Sequence, residues 1–365
     1  MTAPTGSEEK PSSRIPVSYM TGYIIRRIMV SVPLLLLMSL ITFGFIRLPG
    51  GDVLARFRND PRISPAEVKK MEHKYRFDRN FIVQYGYWMK NLFFEWPEQN
   101  EPAQTFGGKL RGWVPNRVRL DLGFSFNYMR PAADVIAERL PRTLLLSLVS
   151  LVLVWATAVP LGVYSAVHQY SRGDKILSSI SFIGMSFPSF FLALLLLYLV
   201  SLTGVLPIGG FTSSNYDQLG FAGKIVDLAK HLLVPAVVII TGSIAGMQRL
   251  MRGNMLEVLR MQYVTTARAK GLPEGTVIYK HVLRNALNPM ITIFGYELSG
   301  LLSGVALTEA VISYPGLGSL MLEAVQSQDV FLVMSLLMIS GVMLIAGNLV
   351  ADVLLSIADP RISYD

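Results

Sequence analysis

The stretch that decides the fold reads Tyr263-Val-Thr-Thr-Ala-Arg-Ala-Lys-Gly271, then Leu-Pro-Glu-Gly275, then Thr276-Val-Ile-Tyr-Lys-His-Val-Leu-Arg-Asn285. It is polar and basic, although long apolar stretches precede and follow it along the chain. Two runs of helix-forming residues flank a break at Gly271 and Pro273. The pattern predicts a helix–break–helix unit held between two membrane spans, where it could pass movement from a soluble partner to those spans.

Six stretches are long and apolar enough to cross a bilayer, which takes about 18 or more such residues. Five of them contain no Asp, Glu, Lys or Arg and the sixth carries only Glu297; they are residues 28–46, 143–167, 176–201, 231–248, 330–351 and 289–307. An outer-membrane barrel would show short alternating strands instead, and a cleaved signal peptide would have a shorter apolar region. We therefore expect an all-α integral membrane protein with six transmembrane helices.

Positive charge alternates between the loops that join these spans. The net charge is +8, and seven Lys and Arg residues lie between positions 249 and 284, whereas the loop after the fifth span has none. Because cytoplasmic loops are enriched in Lys and Arg, this alternation predicts that both termini are cytoplasmic. The membrane topology thereby explains the excess of positive charge. We expect membrane lipid around the chain and no nucleic acid as a partner.

The expected organisation has five parts, with an irregular insertion in the third near residues 95–120, where Pro and Gly are frequent and periodicity is weak. The parts are a cytoplasmic tail (1–22), the first transmembrane helix (23–47), a long extracytoplasmic segment (48–138), a five-helix core that includes the loop 249–288 (139–358), and a cytoplasmic C-terminus (359–365).

Two helices are expected inside the extracytoplasmic segment. Ser64-Pro65-Ala66-Glu67 fits a capping box with Pro at the first helical position. An aromatic-rich stripe at helical spacing, running from Phe81 to Phe93, indicates a second helix. That stripe could lie along the membrane interface, or it could pack against the rest of the outer segment.

Small residues predict where membrane helices approach each other closely. Gly242 and Gly246 are four apart in the fourth span, and Gly300 and Gly304 are four apart in the fifth. Such pairs favour close backbone contact in lipid. We expect them to pack inside this chain, with self-pairing as the alternative.

The sequence lacks the patterns of common enzyme active sites. There is no cysteine, and the four histidines are scattered. No phosphate-binding loop, zinc-protease motif or nucleophile elbow occurs; Gly107-Gly108-Lys109, for example, is followed by Leu110 and lacks the required spacing. We therefore expect no catalysis, no bound cofactor and no metal in this chain.

The loop sequence resembles a known family signature. Tyr263 to Leu272 is similar to the cytoplasmic loop of permease subunits of binding-protein-dependent ABC importers of type I, whose general pattern is E-A-A-x3-G-x9-I-x-L-P. Aligned on Gly271, this chain has Thr265-Thr266-Ala267 in place of E-A-A and His281 to Arg284 in place of I-x-L-P. The wording is typical of the dipeptide/oligopeptide/nickel branch. Further matches, each quoted from this sequence, are Tyr23-Ile-Ile-Arg-Arg27, Gly50-Gly-Asp52, Arg139-Leu-Pro141, Tyr314-Pro-Gly-Leu-Gly318 and Asp359-Pro-Arg-Ile362.

The resemblance implies a multi-pass permease of the bacterial inner membrane that translocates di- and oligopeptides. It implies four kinds of partner: a second homologous permease in a heterodimer, two ATPase subunits that bind ATP and Mg, and an extracytoplasmic solute-binding protein. A coupling helix from Gln262 to Gly271 would receive the ATPase. The residues that would carry this coupling are Tyr263, Thr266, Ala267, Arg268, Lys270 and Gly271.

Several alternatives stay open at this point. The same architecture could import oligosaccharides, nickel chelates or opine-like solutes, because fold does not fix cargo. An ion-driven secondary transporter, or a scaffold or receptor whose basic loop docks a signalling partner, would also be a membrane protein. Glu297 could face the pore and meet cationic substrates, or it could be a buried group that holds helices together. Glu309 is expected at the outer interface.

Overall fold

The computed structural model describes residues 17–47, 54–59, 63–94, 122–302 and 306–358. The predicted insertion near 95–120 and the C-terminal residues 359–365 lie outside the described residues. Helices dominate, and we number them in chain order: α1 Val17–Arg47, α2 Ala55–Arg58, α3 Pro65–Lys74, α4 Phe81–Phe94, α5 Ala132–Val167, α6 Arg172–Ser186, α7 Ser189–Thr203, α8 Phe221–Leu259, α9 Gln262–Ala269, α10 Glu274–Thr276, α11 Leu283–Ala286, α12 Asn288–Leu302, α13 Ala306–Val311, α14 Leu317–Gln326 and α15 Val330–Ala358. A π-helical turn, Val277–Val282, joins α10 to α11.

Four of the predicted spans are single helices long and apolar enough to cross a membrane. They are α1, α5, α8 and α15. The predicted fifth span begins as α12, which is 15 residues long and reaches the edge of the described range. The total of six spans stays a prediction.

The predicted third span, residues 176–201, is not one straight helix. It consists of α6 and α7, whose axes differ in direction by 99°. Phe187 between them has an extended backbone, with ψ of 135°. Pro188 follows, and a residue before Pro is biased away from the helical region. Each half is 15 residues long, or about 22 Å, which is shorter than the roughly 30 Å hydrocarbon core.

Close helix packing occurs at glycines other than those expected. A Cβ on Gly162 of α5 would lie 2.6 Å from the Cβ of Met251 on α8, so these helices nearly touch there. Gly184 of α6 faces Thr241 in the same way. The expectation of packing inside this chain at Gly242 and Gly246 is wrong for the part of the chain that the structure describes: both are exposed, with no described atom within 4 Å of an added Cβ.

The outer segment packs onto the end of the helical core. Ser64 caps α3 with the predicted capping box. Helix α4 is also confirmed, and its aromatic stripe turns inward: Trp88 and Leu92 are buried in a cluster with Phe43 and Phe331. Of the two alternatives for this stripe, packing against the protein is the one the structure shows for these side chains.

A short antiparallel pair, β1 Phe124–Ser125 with β2 Arg130–Pro131, was not expected in the all-α fold. Asp329 anchors it, because its Oδ2 accepts hydrogen bonds from Ser125 Oγ at 2.6 Å and from Asn127 N at 3.0 Å. In the turn, Tyr128 donates its hydroxyl to Glu323 at 2.6 Å. Burial, followed by this carboxylate, raises the pKa of Tyr128 to about 12. The hairpin thereby ties the outer segment to α14 and α15.

Candidate docking segment and membrane carboxylates

The docking segment, residues 260–286, begins directly where α8 ends. Helix α9 is amphipathic: Val264 and Ala267 are buried on one side, while its other residues are exposed. Their partners are the buried side chains Val277, Ile278 and Val282 of the π-helical turn, all in one cluster with Met251 and Met255 of α8. Burial of this apolar stripe fixes α9 against the membrane core. Its polar face is left open to the cytoplasmic side that the charge pattern predicts.

Helix α9 ends in a glycine cap. Gly271 has a φ of +76°, in the left-handed region that suits glycine. Its N–H donates to Arg268 O at 2.9 Å, and Leu272 N donates to Ala267 O at 3.4 Å. This is the bond pattern of a Schellman motif, which satisfies the last carbonyl groups of a helix. Pro273 then directs the chain into α10.

An ion pair spans this cap. Arg268 donates from Nε to Glu274 Oε2 at 3.1 Å and from a terminal nitrogen to Oε1 at 2.6 Å. The hydrogen bonds from Arg268 lower the pKa of the Glu274 carboxyl. The pair joins the end of α9 to the start of α10 in a fixed fork geometry.

A third link closes the segment at its other end. Asn285 of α11 donates from Nδ2 to the Tyr263 hydroxyl at 2.8 Å and to His281 O at 3.0 Å. Asn254 of α8 donates to Ala286 O at 3.1 Å. The helix–break–helix unit is therefore held by an apolar face, an ion pair and two amide side chains.

A polar network lies behind the segment, between α5, α6 and α8. Arg252 donates to buried Asp174 at 3.0 Å. Ser181 donates to Gln248 Oε1 at 2.5 Å, and Gln248 Nε2 donates to Ser165 at 3.2 Å. Because buried polar groups are costly when unpaired, this network holds three helices in register at the ends that adjoin the docking segment. The sequence predicted Arg252 only as a topology signal.

Glu297 lies midway along α12 and is half-buried. Helix α12 packs against α15, α5 and α8. A hydrogen bond or ion pair from its carboxylate is not seen among the residues that the structure describes. The structure thus places an ionisable side chain midway along a helix that packs in the helical core, and a pore-facing role stays a prediction.

Sequence comparison matches most of the chain to the models of one transport family. Residues 158–364 match the binding-protein-dependent transport system inner membrane component family, and residues 20–147 match its N-terminal component. The chain is 36% identical over 346 residues to the oligopeptide transport system permease protein AppB of Bacillus subtilis (strain 168), covering 94% of this chain and 100% of that one. It is 30% identical over 362 residues to the dipeptide transport system permease protein DppB of Escherichia coli (strain K12), covering 94% and 99%.

The chain belongs to this family of permeases. The resemblance drawn from residues 263–272 is confirmed, as is its consequence that the chain is a transport subunit of the inner membrane. An inward-facing structure of the MetNI methionine ABC transporter shares the fold, with a TM-score of 0.50 at 17% identity over 62% of this chain and 96% of that one.

In this permease, five of the six residues predicted for coupling have exposed positions: Tyr263, Thr266, Arg268, Lys270 and Gly271. Ala267 differs, because its methyl group is buried against the chain's own core. Sequence reasoning missed Glu274, whose charge six residues after Arg268 was the available signal. It also missed the π-helical turn, for which the sequence offers no local signature.

Glu309 of this permease is buried inside the protein. Only 5% of the residue is exposed, and its expected position at the outer interface stays a prediction. Its Oε2 accepts a hydrogen bond from Ser319 N at 2.7 Å, in the first turn of α14. A Cβ on Gly316 would lie 2.5 Å from the same oxygen. In the Tyr314-Pro-Gly-Leu-Gly318 motif, position 316 is therefore glycine because the Glu309 carboxylate occupies the space that a side chain would need.

Proposed function

We propose that this permease translocates di- and oligopeptides across the bacterial inner membrane. The proposal is supported by its relatives, which are named as oligopeptide and dipeptide transport system permease proteins and which it matches over 94% of its length. Uptake of labelled dipeptides and oligopeptides by cells with and without this permease tests the cargo. Uptake that is unchanged by its loss, with loss of nickel-chelate or oligosaccharide uptake instead, would redirect the assignment.

Coupling to ATP is proposed to pass through α9. A soluble ATPase subunit would contact its open face, formed by Thr265, Thr266 and Ala269 with Lys270 beside them, while the opposite face is buried in the chain's own core. That rigid attachment is the observation that carries the proposal. Mg-ATP would bind and be hydrolysed in two separate ATPase subunits, and their closure would shift the permease between inward-open and outward-open states.

The chain has no cysteine, which allows a clean cross-linking test. Thr265→Cys introduces one thiol on the open face of α9, and Tyr170→Cys introduces one at an exposed turn between α5 and α6. We expect a short bifunctional reagent to join Thr265→Cys, but not Tyr170→Cys, to the ATPase in membranes. Equal cross-linking of both variants, or of neither, contradicts docking on α9.

A second homologous permease is proposed to pack on the open small-residue face of α8. Gly242, Gly246 and Gly253 are exposed there, with room for another backbone to approach. Gly246→Leu should reduce co-purification of the second permease, whereas Gly86→Leu in outer helix α4, equally open, should not. Unchanged recovery with Gly246→Leu would place that interface elsewhere.

Both termini are proposed to be cytoplasmic. The basic docking segment and Arg26-Arg27 lie on the same side under the positive-inside rule. Arg27 near the start of α1 lies 3.9 Å from Asp352 near the end of α15, so the two ends are at the same level. A solute-binding protein would then deliver peptide to the opposite face, where the hairpin and α2–α4 lie. Reporter fusions at each terminus test the orientation.

A further inference from the structure

A small cavity lies beside Glu309, where α5, α8 and α13 meet. Its volume is about 10 Å³, close to the minimum that admits one water-sized guest. Four of its lining residues carry side-chain oxygen atoms, and the rest of the lining is apolar. The oxygen-bearing residues are Thr143, Ser147, Thr308 and Glu309.

The carboxylate beside this cavity lies beyond ion-pair distance of the cationic side chains that the structure describes. Arg139 acts on it only from a distance, and its backbone hydrogen bonds come from Gly318 and from Ser319 N, the latter to Oε2 at 2.7 Å. Buried charges in proteins are paired with an opposite charge or coordinate a metal ion. The N-terminus of α14 compensates part of the charge, and among the described residues no cation within ion-pair distance compensates the rest.

The three hydroxyl groups can act as oxygen ligands toward the cavity. Thr308 Oγ1 donates its hydrogen to Ser189 Oγ at 3.1 Å, which leaves its lone pairs available. Thr143 Oγ1 accepts from Leu317 N at 2.7 Å and keeps a second lone pair. Ser147 is 2% exposed, and its hydroxyl makes no hydrogen bond to the described residues.

We propose that this cavity binds a single dehydrated monovalent cation of the size of Na⁺. Carboxylate and hydroxyl oxygens are ligands for hard cations. A divalent ion fits less well, since Ca²⁺ takes 6–8 oxygens and Mg²⁺ retains several waters, for which a cavity of about 10 Å³ has no room. The bound cation neutralises Glu309 and links α5 to α13. This site is independent of the peptide assignment.

The test measures thermal unfolding of the purified transporter complex in lipid nanodiscs, in NaCl, KCl or choline chloride at equal ionic strength. The wild-type complex should melt at a higher temperature in NaCl than in choline chloride. Ser147→Ala should lose that difference, because it removes one ligand without breaking a protein hydrogen bond. Ser150→Ala, which changes a buried hydroxyl on the same helix outside the cavity lining, should keep it.

Glu309→Gln should lose the sodium effect as well. If Glu309→Gln does not assemble into the complex, the result for Ser147→Ala alone tests the proposal. Equal melting of the wild-type complex in all three salts overturns the proposal and leaves a water molecule as the guest. A sodium effect that survives in Ser147→Ala overturns it also, because the ion then binds elsewhere.

Discussion

The glycine cap of α9 makes the docking segment sensitive to one substitution. At a φ of +76°, an L-residue such as Ala costs about 1–2 kcal/mol relative to glycine. An added Cβ at Gly271 would meet no atom within 4 Å, so the penalty comes from the backbone and not from a clash. Gly271→Ala should therefore raise the open population of this cap by a factor of about 5–30.

Hydrogen exchange measured by mass spectrometry reads this opening directly. In Gly271→Ala, the amides of Lys270, Gly271 and Leu272, which bond back to α9, should exchange faster by about the same factor of 5–30. Gly271→Asn should lose less protection, because asparagine tolerates the left-handed region. Peptide uptake should fall more in Gly271→Ala than in Gly271→Asn, whereas the rate of ATP hydrolysis that is not coupled to uptake should not fall.

Gly275→Ala is the matched control. Gly275 lies four residues further on, is exposed and has no neighbour within 4 Å of an added Cβ, and its φ is not in the left-handed region. In Gly275→Ala, the amides of Lys270, Gly271 and Leu272 should exchange at the same rate as in the unaltered protein. If Gly271→Ala exchanges no faster than Gly275→Ala, the left-handed cap does not hold α9 in place and the reasoning fails.

Three further predictions concern other parts of the chain. Glu297→Gln should change uptake of cationic peptides relative to neutral ones; identical uptake across a panel would favour a packing role. Asp329→Asn weakens the acceptor of Ser125 and Asn127, and should destabilise the protein by about 1–3 kcal/mol, seen as a lower Tm. The lowered pKa of Glu274 means that its ion pair contributes above pH 4.5 and is lost only as pH falls below that value. Exchange protection of residues 262–274, corrected for intrinsic rates, should therefore be the same at pH 7.5 and 5.5, and loss within that range would contradict the ion pair.

Features encoded by nearby residues were predictable from the sequence. The α3 cap depends on Ser64 and Glu67, three residues apart, and the structure forms it as expected. The α9 break depends on Gly271 and Pro273, which restrict the backbone on their own. The long apolar helices follow from the bilayer's thickness alone.

Features set by distant residues were not predictable. The mean hydropathy of residues 176–201 is the same whether they form one straight span or two helices whose axes differ by 99°. Pro188 was the only local signal of the break. The burial of Glu309 was not predicted, because its partner, Ser319, lies beyond the turn that precedes α14. Gly242 and Gly246 show the same limit, since the spacing of small residues predicts close approach without stating which helix approaches.

Helix α8 also has the geometry of a lever. From Ala236 to Leu259 it is a proline-free helical arm, and at 1.5 Å per residue its 24 residues extend about 36 Å. At Leu259 it joins α9 through only Arg260 and Met261. A tilt of about 5° imposed there would displace the other end by about 3 Å, since 36 Å multiplied by sin 5° is about 3 Å. A tilt of that size at the docking segment could therefore be transmitted into the bilayer by α8 as a rigid body, without unfolding of any helical turn.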